Sequence, residues 1–98
     1  MTSTTTPTVQ VRVTAVLQKL VGGQKTIQAK GATVAEIIDD IEARHPGFKG
    51  HMYGEDGKLQ RFVNIYLNDE DIRYTGGAGT EVNDGDVLDI LPALAGGS

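Results

Sequence analysis

Residues 33–46 read Thr33-Val34-Ala35-Glu36-Ile37-Ile38-Asp39-Asp40-Ile41-Glu42-Ala43-Arg44-His45-Pro46. Here the apolar period changes from that of a strand to that of a helix. Thr33-Val34-Ala35-Glu36 has the Ser/Thr-x-x-Glu form in which a hydroxyl and a carboxylate reciprocally satisfy free amide donors at a helix start. Val34, Ile37, Ile38 and Ile41 then form one apolar stripe, with Asp39, Asp40 and Glu42 on the other side. His45-Pro46-Gly47 ends the helix, because proline cannot donate the next backbone bond and disfavours helical geometry in the residue before it. Full burial of the four branched side chains contributes roughly 6–12 kcal/mol before chain-entropy costs, enough to dock one helix on one sheet face.

Strand-like segments lie on both sides of this helix. Val9, Val11, Val13 and Ala15 alternate with polar residues, the period of two of a strand with one buried face. A turn at Gly22-Gly23 leads into a return strand from Gln24 to Ala29, so an antiparallel hairpin is expected. After the helix, residues 47–60 are rich in glycine and charge and read as an exposed connection, with a short helical turn around Lys49 to Tyr53. Val63, Ile65 and Leu67 mark the next strand. Asn68-Asp69-Glu70-Asp71 turns the chain into a brief strand at Ile72 to Tyr74, and glycines 76, 77 and 79 form a loop. Asp84-Gly85-Asp86 makes a tight turn into Val87-Leu88-Asp89-Ile90-Leu91, which Pro92 closes. One helix covering one face of a mixed sheet of four to five strands is an α+β architecture. Joining a first hairpin to a last strand through one helical crossover gives the β-grasp (ubiquitin-like) arrangement, with first and last strands parallel at the centre. The organisation expected is a disordered tail over 1–7, a β-grasp domain over 8–92 and a flexible tail over 93–98.

Composition narrows the function. Ninety-eight residues support one domain with little room for an internal catalytic cleft. Cysteine is absent, which excludes a disulfide framework, a thiolate metal site and a cysteine nucleophile. A net charge of −4 opposes nucleic-acid binding, which draws its affinity from cationic contacts. The start lacks the basic and apolar regions of a secretory signal, and no apolar run is long enough to span a bilayer, so a cytoplasmic protein without membrane partners is expected. His45 and His51 have no second ligand at metal spacing, and Asp69, Glu70 and Asp71 lack the rest of a calcium loop, so no metal and no catalytic residue is assigned. Gly76-Gly77-Ala78-Gly79 lacks the lysine and helix of a phosphate-binding loop.

The last stretch, Leu94-Ala95-Gly96-Gly97-Ser98, places a diglycine after the final strand, where no turn remains to be made. Residues without Cβ atoms can thread a narrow enzyme cleft, although a short Gly/Ser tail taken alone is more often an unstructured end. The wider pattern is more specific. An Asp-Gly-Asp turn, a hydrophobic strand, a proline and a small-residue tail ending in Gly-Gly run as DGDVLDILPALAGG over 84–97. With this pattern the chain resembles the ubiquitin-like sulfur carriers of bacteria, the ThiS and MoaD group. GGQK at 22–25 and RFVNIYLNDEDIRYTGG at 61–77 look most like the actinobacterial CysO type, which carries sulfide for cysteine synthesis.

The resemblance implies a carrier that is a substrate and not an enzyme. Its Gly97 carboxylate would be adenylated with ATP by an E1-like adenylyltransferase/sulfurtransferase and converted to a thiocarboxylate, with no cofactor bound to the carrier itself. Gly96, Ala95 and Leu94 would enter the partner's channel, and a cysteine-synthase-type enzyme would accept the sulfur. Absence of cysteine leaves the main-chain terminus as the remaining covalent site. Adenylation supplies the leaving group that a carboxylate lacks. Ser98 departs from the pattern by locking the Gly97 carboxyl in a peptide bond. Some relatives lose such residues to a JAMM-type zinc metalloprotease, so cleavage between Gly97 and Ser98 is the preferred interpretation, with a cloning remnant or a deliberately blocked terminus as the other. Alternation puts Val87 and Leu91, with Phe62 and Tyr66, on the open sheet face beside the tail, a candidate docking patch. Two further readings stay open: a β-grasp module binding its partner noncovalently, and a carrier serving thiamine, molybdopterin or natural-product synthesis.

Overall fold

The computed structural model describes residues 6–54, 57 and 63–92. Strand β1, Thr8–Val13, buries Val9, Val11 and Val13 and exposes Gln10 and Arg12. It pairs antiparallel with β2, Thr26–Lys30, with Val11 opposite Ile27. The connection differs from the expected glycine hairpin. β1 stops at Val13, and Ala15 opens a helical turn, α1 (Ala15–Gln18), that tightens into a 3₁₀ turn over Lys19–Val21 before Gly22 at φ 70°. The cause is that Leu17 and Val21, four residues apart, are both buried, so a helical period overrides the alternation. Gln18 Nε2 donates to the Val13 carbonyl at 3.1 Å and fixes the corner. β2 accordingly begins at Thr26 and not at Gln24.

Helix α2, Val34–Arg44, follows the expected reading closely. Thr33 Oγ1 accepts from Glu36 N at 3.3 Å, while the Glu36 carboxylate reaches back to Ala32 N at 2.8 Å. Val34, Ile37, Ile38 and Ile41 are fully buried against the sheet. The helix start is tied to the 80–82 segment, since Val34 N donates to the Thr80 carbonyl and Val82 N to that of Ala32, each at 3.0 Å. Gly31 lies buried beneath this first turn.

The segment after α2 is less exposed than its composition suggests. Phe48–Met52 forms a short helix, α3, whose Phe48 and Met52 are fully buried. The Glu42 carboxylate organises the junction by accepting from Lys49 N at 2.8 Å and Gly47 N at 3.2 Å, and these bonds, that from Lys49 foremost, hold its carboxyl below the usual carboxylate range.

β3 spans Val63–Leu67. Asn68 and Asp69, at φ 51° and 72°, make the tight turn into β4, Glu70–Asp71, with Leu67 opposite Glu70. The brief strand expected at Ile72 to Tyr74 is instead a 3₁₀ turn. Asp71 Oδ1 accepts from Arg73 N at 2.9 Å, which curls the backbone and drops Ile72 into the core. β5, Val87–Pro92, runs parallel to β1 and antiparallel to β3. The sheet order is β2-β1-β5-β3-β4, with α2 on one face, a β-grasp fold.

Candidate functional site

β5 delivers the chain's last segment, and its position follows from its two faces. Leu88 and Ile90 are fully buried against the helix side, whereas Val87, Asp89 and Leu91 are only partly covered on the other. The turn before it is built to start the strand in register. Asp84 Oδ1 accepts from Thr8 N at 2.9 Å, and Asp86 takes Asn83 N at 2.7 Å and Asn68 Nδ2 at 3.1 Å. Asn68 Oδ1 in turn accepts from Val87 N at 3.0 Å. Gly85 sits at φ 89°, which a residue with a Cβ rarely adopts. Asp84 thus serves the backbone of β1, Asp86 that of the turn itself, and Asn68, from the turn after β3, that of β5.

On the open face, one row crosses four strands. Arg12 on β1 lies opposite Asp89 on β5, Asp89 opposite Tyr66 on β3, and Tyr66 opposite Asp71 on β4. Arg12 grips Asp89 through Nε at 2.5 Å and Nη2 at 2.8 Å, with the guanidinium 52% exposed and the carboxylate 16%. At the other end Arg73 Nη2 donates to Asp71 at 2.8 Å, and that bond holds the Asp71 carboxyl below its usual range. Tyr66 stands between the two pairs.

Of the expected docking residues, Tyr66, Val87 and Leu91 lie on this face, each half-buried, with Asp89 between Val87 and Leu91. Leu91 is opposite Asn64, and Pro92 opposite Val63. The surface is therefore apolar at two points and organised around a fixed ion pair. Phe62, Leu94, Ala95, Gly96, Gly97 and Ser98 lie outside the described residues. The Arg12–Asp89 pair escaped the sequence reading because its members are far apart in the chain. A polar residue of each sign at the centre of two strands expected to run parallel was the available signal.

Elsewhere, among the described residues, no three His, Asp or Glu side chains are grouped to hold a metal ion. His45 caps the end of α2, and His51 Nδ1 lies 3.0 Å from the Gly47 carbonyl on α3. No described helix is long and apolar enough to cross a membrane.

Comparison with known proteins fits this geometry. The model of the ThiS family matches residues 11–97. The sulfur carrier protein CysO of Mycobacterium tuberculosis is 46% identical over 91 residues, covering 91% of this chain and 98% of its own. Its crystal structure superposes with a TM-score of 0.84, covering 88% of this chain and 99% of that one at 44% identity. In the crystal structure of the Amycolatopsis orientalis BexX/CysO complex, a chain 55% identical superposes with a TM-score of 0.84, over 90% of this chain and 98% of that one. The chain belongs to the ThiS family, with the β-grasp fold and the sequence of a ubiquitin-like sulfur carrier of the CysO type.

Proposed function

We propose that this chain carries sulfur on its own main-chain terminus, as the thiocarboxylate of Gly97. The observation that carries the reading is the match to the ThiS family through residue 97, joined to a central strand that ends at Pro92 and leaves a small-residue tail beyond it. In the first step water cleaves the Gly97–Ser98 amide, catalysed by a JAMM-type metalloprotease, and frees the Gly97 carboxylate. A carboxylate oxygen then attacks the α-phosphorus of ATP on an E1-like partner, and pyrophosphate leaves. A sulfide donor attacks the resulting acyl-adenylate at carbon, the bond to AMP breaks, and the thiocarboxylate remains. The chain contributes an electrophilic carbon at the end of a narrow tail, and its partner contributes the catalysis and holds the ATP.

Sulfide delivery to a cysteine-synthase-type enzyme in the cytoplasm is the preferred end use. The CysO-like segments at 22–25 and 61–77, and the 46% identity to a CysO protein, support it. A relative crystallised in complex with a second protein supports a role exercised on partners. Mass spectrometry of the protein recovered from its own host tests the reading. The expected species ends at Gly97 with one terminal oxygen replaced by sulfur; a population that always retains Ser98 and never gains sulfur would refute it.

The open sheet face is the proposed docking surface for the activating enzyme. Leu91→Asp places a charge where the patch is half-buried and is expected to weaken the complex by at least about tenfold, since apolar anchors at interface centres carry most of the binding energy. Isothermal titration against the activating enzyme measures it, with circular dichroism to establish that the domain still folds. Unchanged affinity would remove Leu91 from the interface.

A further inference from the structure

β2 is an edge strand, and its outer edge is closed in a specific way. Val13 N donates to the Lys25 carbonyl at 3.0 Å and Gly31 N to that of Pro7 at 3.1 Å. By antiparallel alternation, the main-chain groups of Thr26, Gln28 and Lys30 therefore point away from β1, toward the edge of the sheet. Two of those groups are occupied by side chains of α2. Arg44 Nη2 donates to the Gln28 carbonyl at 2.7 Å, and Asp40 Oδ2 accepts from Lys30 N at 2.9 Å. Asp40 and Arg44 also pair with each other at 2.9 Å, one helical turn apart. Two recesses, of about 480 and 340 Å³, flank the Arg44 guanidinium along this edge, one bordered by Thr26, Gln28 and His45 and the other by Gln28, Lys30 and Asp40.

We infer that the outer edge of β2 is a strand-addition site for an extended acidic segment of a partner protein, held closed in the free chain by Asp40 and Arg44. An incoming strand needs the Gln28 carbonyl as acceptor and the Lys30 N–H as donor, the two groups now held by α2 side chains. Both side chains are about one-third to one-half exposed, so they return to water when displaced. The sign of the segment follows from the lining. Arg44 and Lys30 border the recesses, Lys25 immediately precedes the strand, and Asp40 is the one carboxylate among the residues lining either recess. Lys25 and Lys30 form no ion pair among the described residues. On binding, Arg44 exchanges Asp40 for a carboxylate of the segment, and Asp40 alone gains nothing. This site lies on the opposite edge of β1 from β5 and is separate from the tail and its docking face.

Titrating ¹⁵N-labelled full chain with a blocked synthetic peptide that alternates valine and glutamate tests the inference. Amide shifts are expected at residues 26–30, 40 and 44. Asp40→Ala, which frees Lys30 N–H and removes the like charge, is expected to bind about tenfold tighter, and Lys30→Glu about tenfold weaker. A peptide with proline at alternate positions, or one with lysine for glutamate, should not bind. Shifts centred elsewhere, equal binding of the proline peptide, or no effect of either substitution would overturn the inference. So would an Asp40→Ala variant that pairs β2 with a second copy and ignores the peptide, which would mark the clamp as protection of the edge alone.

Discussion

A chain that ends at Gly97 is expected to form an acyl-adenylate with its activating enzyme and ATP, and the same chain with Ser98 attached to form none. The difference is one of kind. Attack on the α-phosphorus needs a free carboxylate oxygen, and in the Gly97–Ser98 amide that oxygen is replaced by nitrogen whose lone pair is delocalised into the carbonyl. ATP–pyrophosphate exchange and intact-protein mass spectrometry read the result directly, and equal activity of the two forms would show that removal of Ser98 is not required. A chain lacking Gly96 to Ser98 supplies the companion measurement. A carrier loses all activity, whereas a module that binds through its sheet alone keeps its partner affinity.

Gly31→Ala is expected to cost about 3 kcal/mol, the upper end for overpacking a well-filled site, and Gly31→Val more. A Cβ at Gly31 would stand 2.7 Å from Glu36 Cβ, 2.8 Å from Ile37 N and 2.9 Å from the Glu36 carbonyl carbon. Two of these three atoms are backbone in the first turn of α2, which Thr33, Glu36 and the 80–82 segment already hold in place. No flexible side-chain end can move aside. For a domain of this size the loss corresponds to roughly 12–24 °C in Tm. Differential scanning calorimetry checks it, and a drop of only a degree or two would mean that the helix start yields more readily than its bonding suggests. Gly50 on α3, whose added Cβ would meet nothing within 4 Å, provides the control, where alanine is expected to hold or raise stability.

How far the sequence disclosed this molecule depended on whether local pattern and tertiary context agreed. α2 was legible to the residue because its cap, its apolar stripe and its proline stop all point the same way. α1 was not, because Ala15 continues an alternation that Leu17 and Val21 break only when both find the core. The helical turn expected around Lys49 to Tyr53 is present as α3, Phe48–Met52, but its burial hid behind glycine and charge, though Phe48 and Met52, one helical turn apart, were its signature. At Ile72 a single side-chain bond, from Arg73 N to Asp71, replaced strand with 3₁₀ turn. For the site, the tail pattern and the absence of cysteine on which the proposed covalent chemistry rests were legible. The row Arg12-Asp89-Tyr66-Asp71 was not, since it exists only once four strands are set in register.

β5 is hydrogen-bonded on both sides, to β1 and to β3, and the tail issues directly from it. A pull applied at that end therefore loads the strand along its length, so the ladders on both sides share the force and must fail together. The same pull on β2 would load a single strand ladder, the one to β1. The carrier role proposed above would thus load the strand held on both sides, and the slowest amide exchange in the domain is expected there.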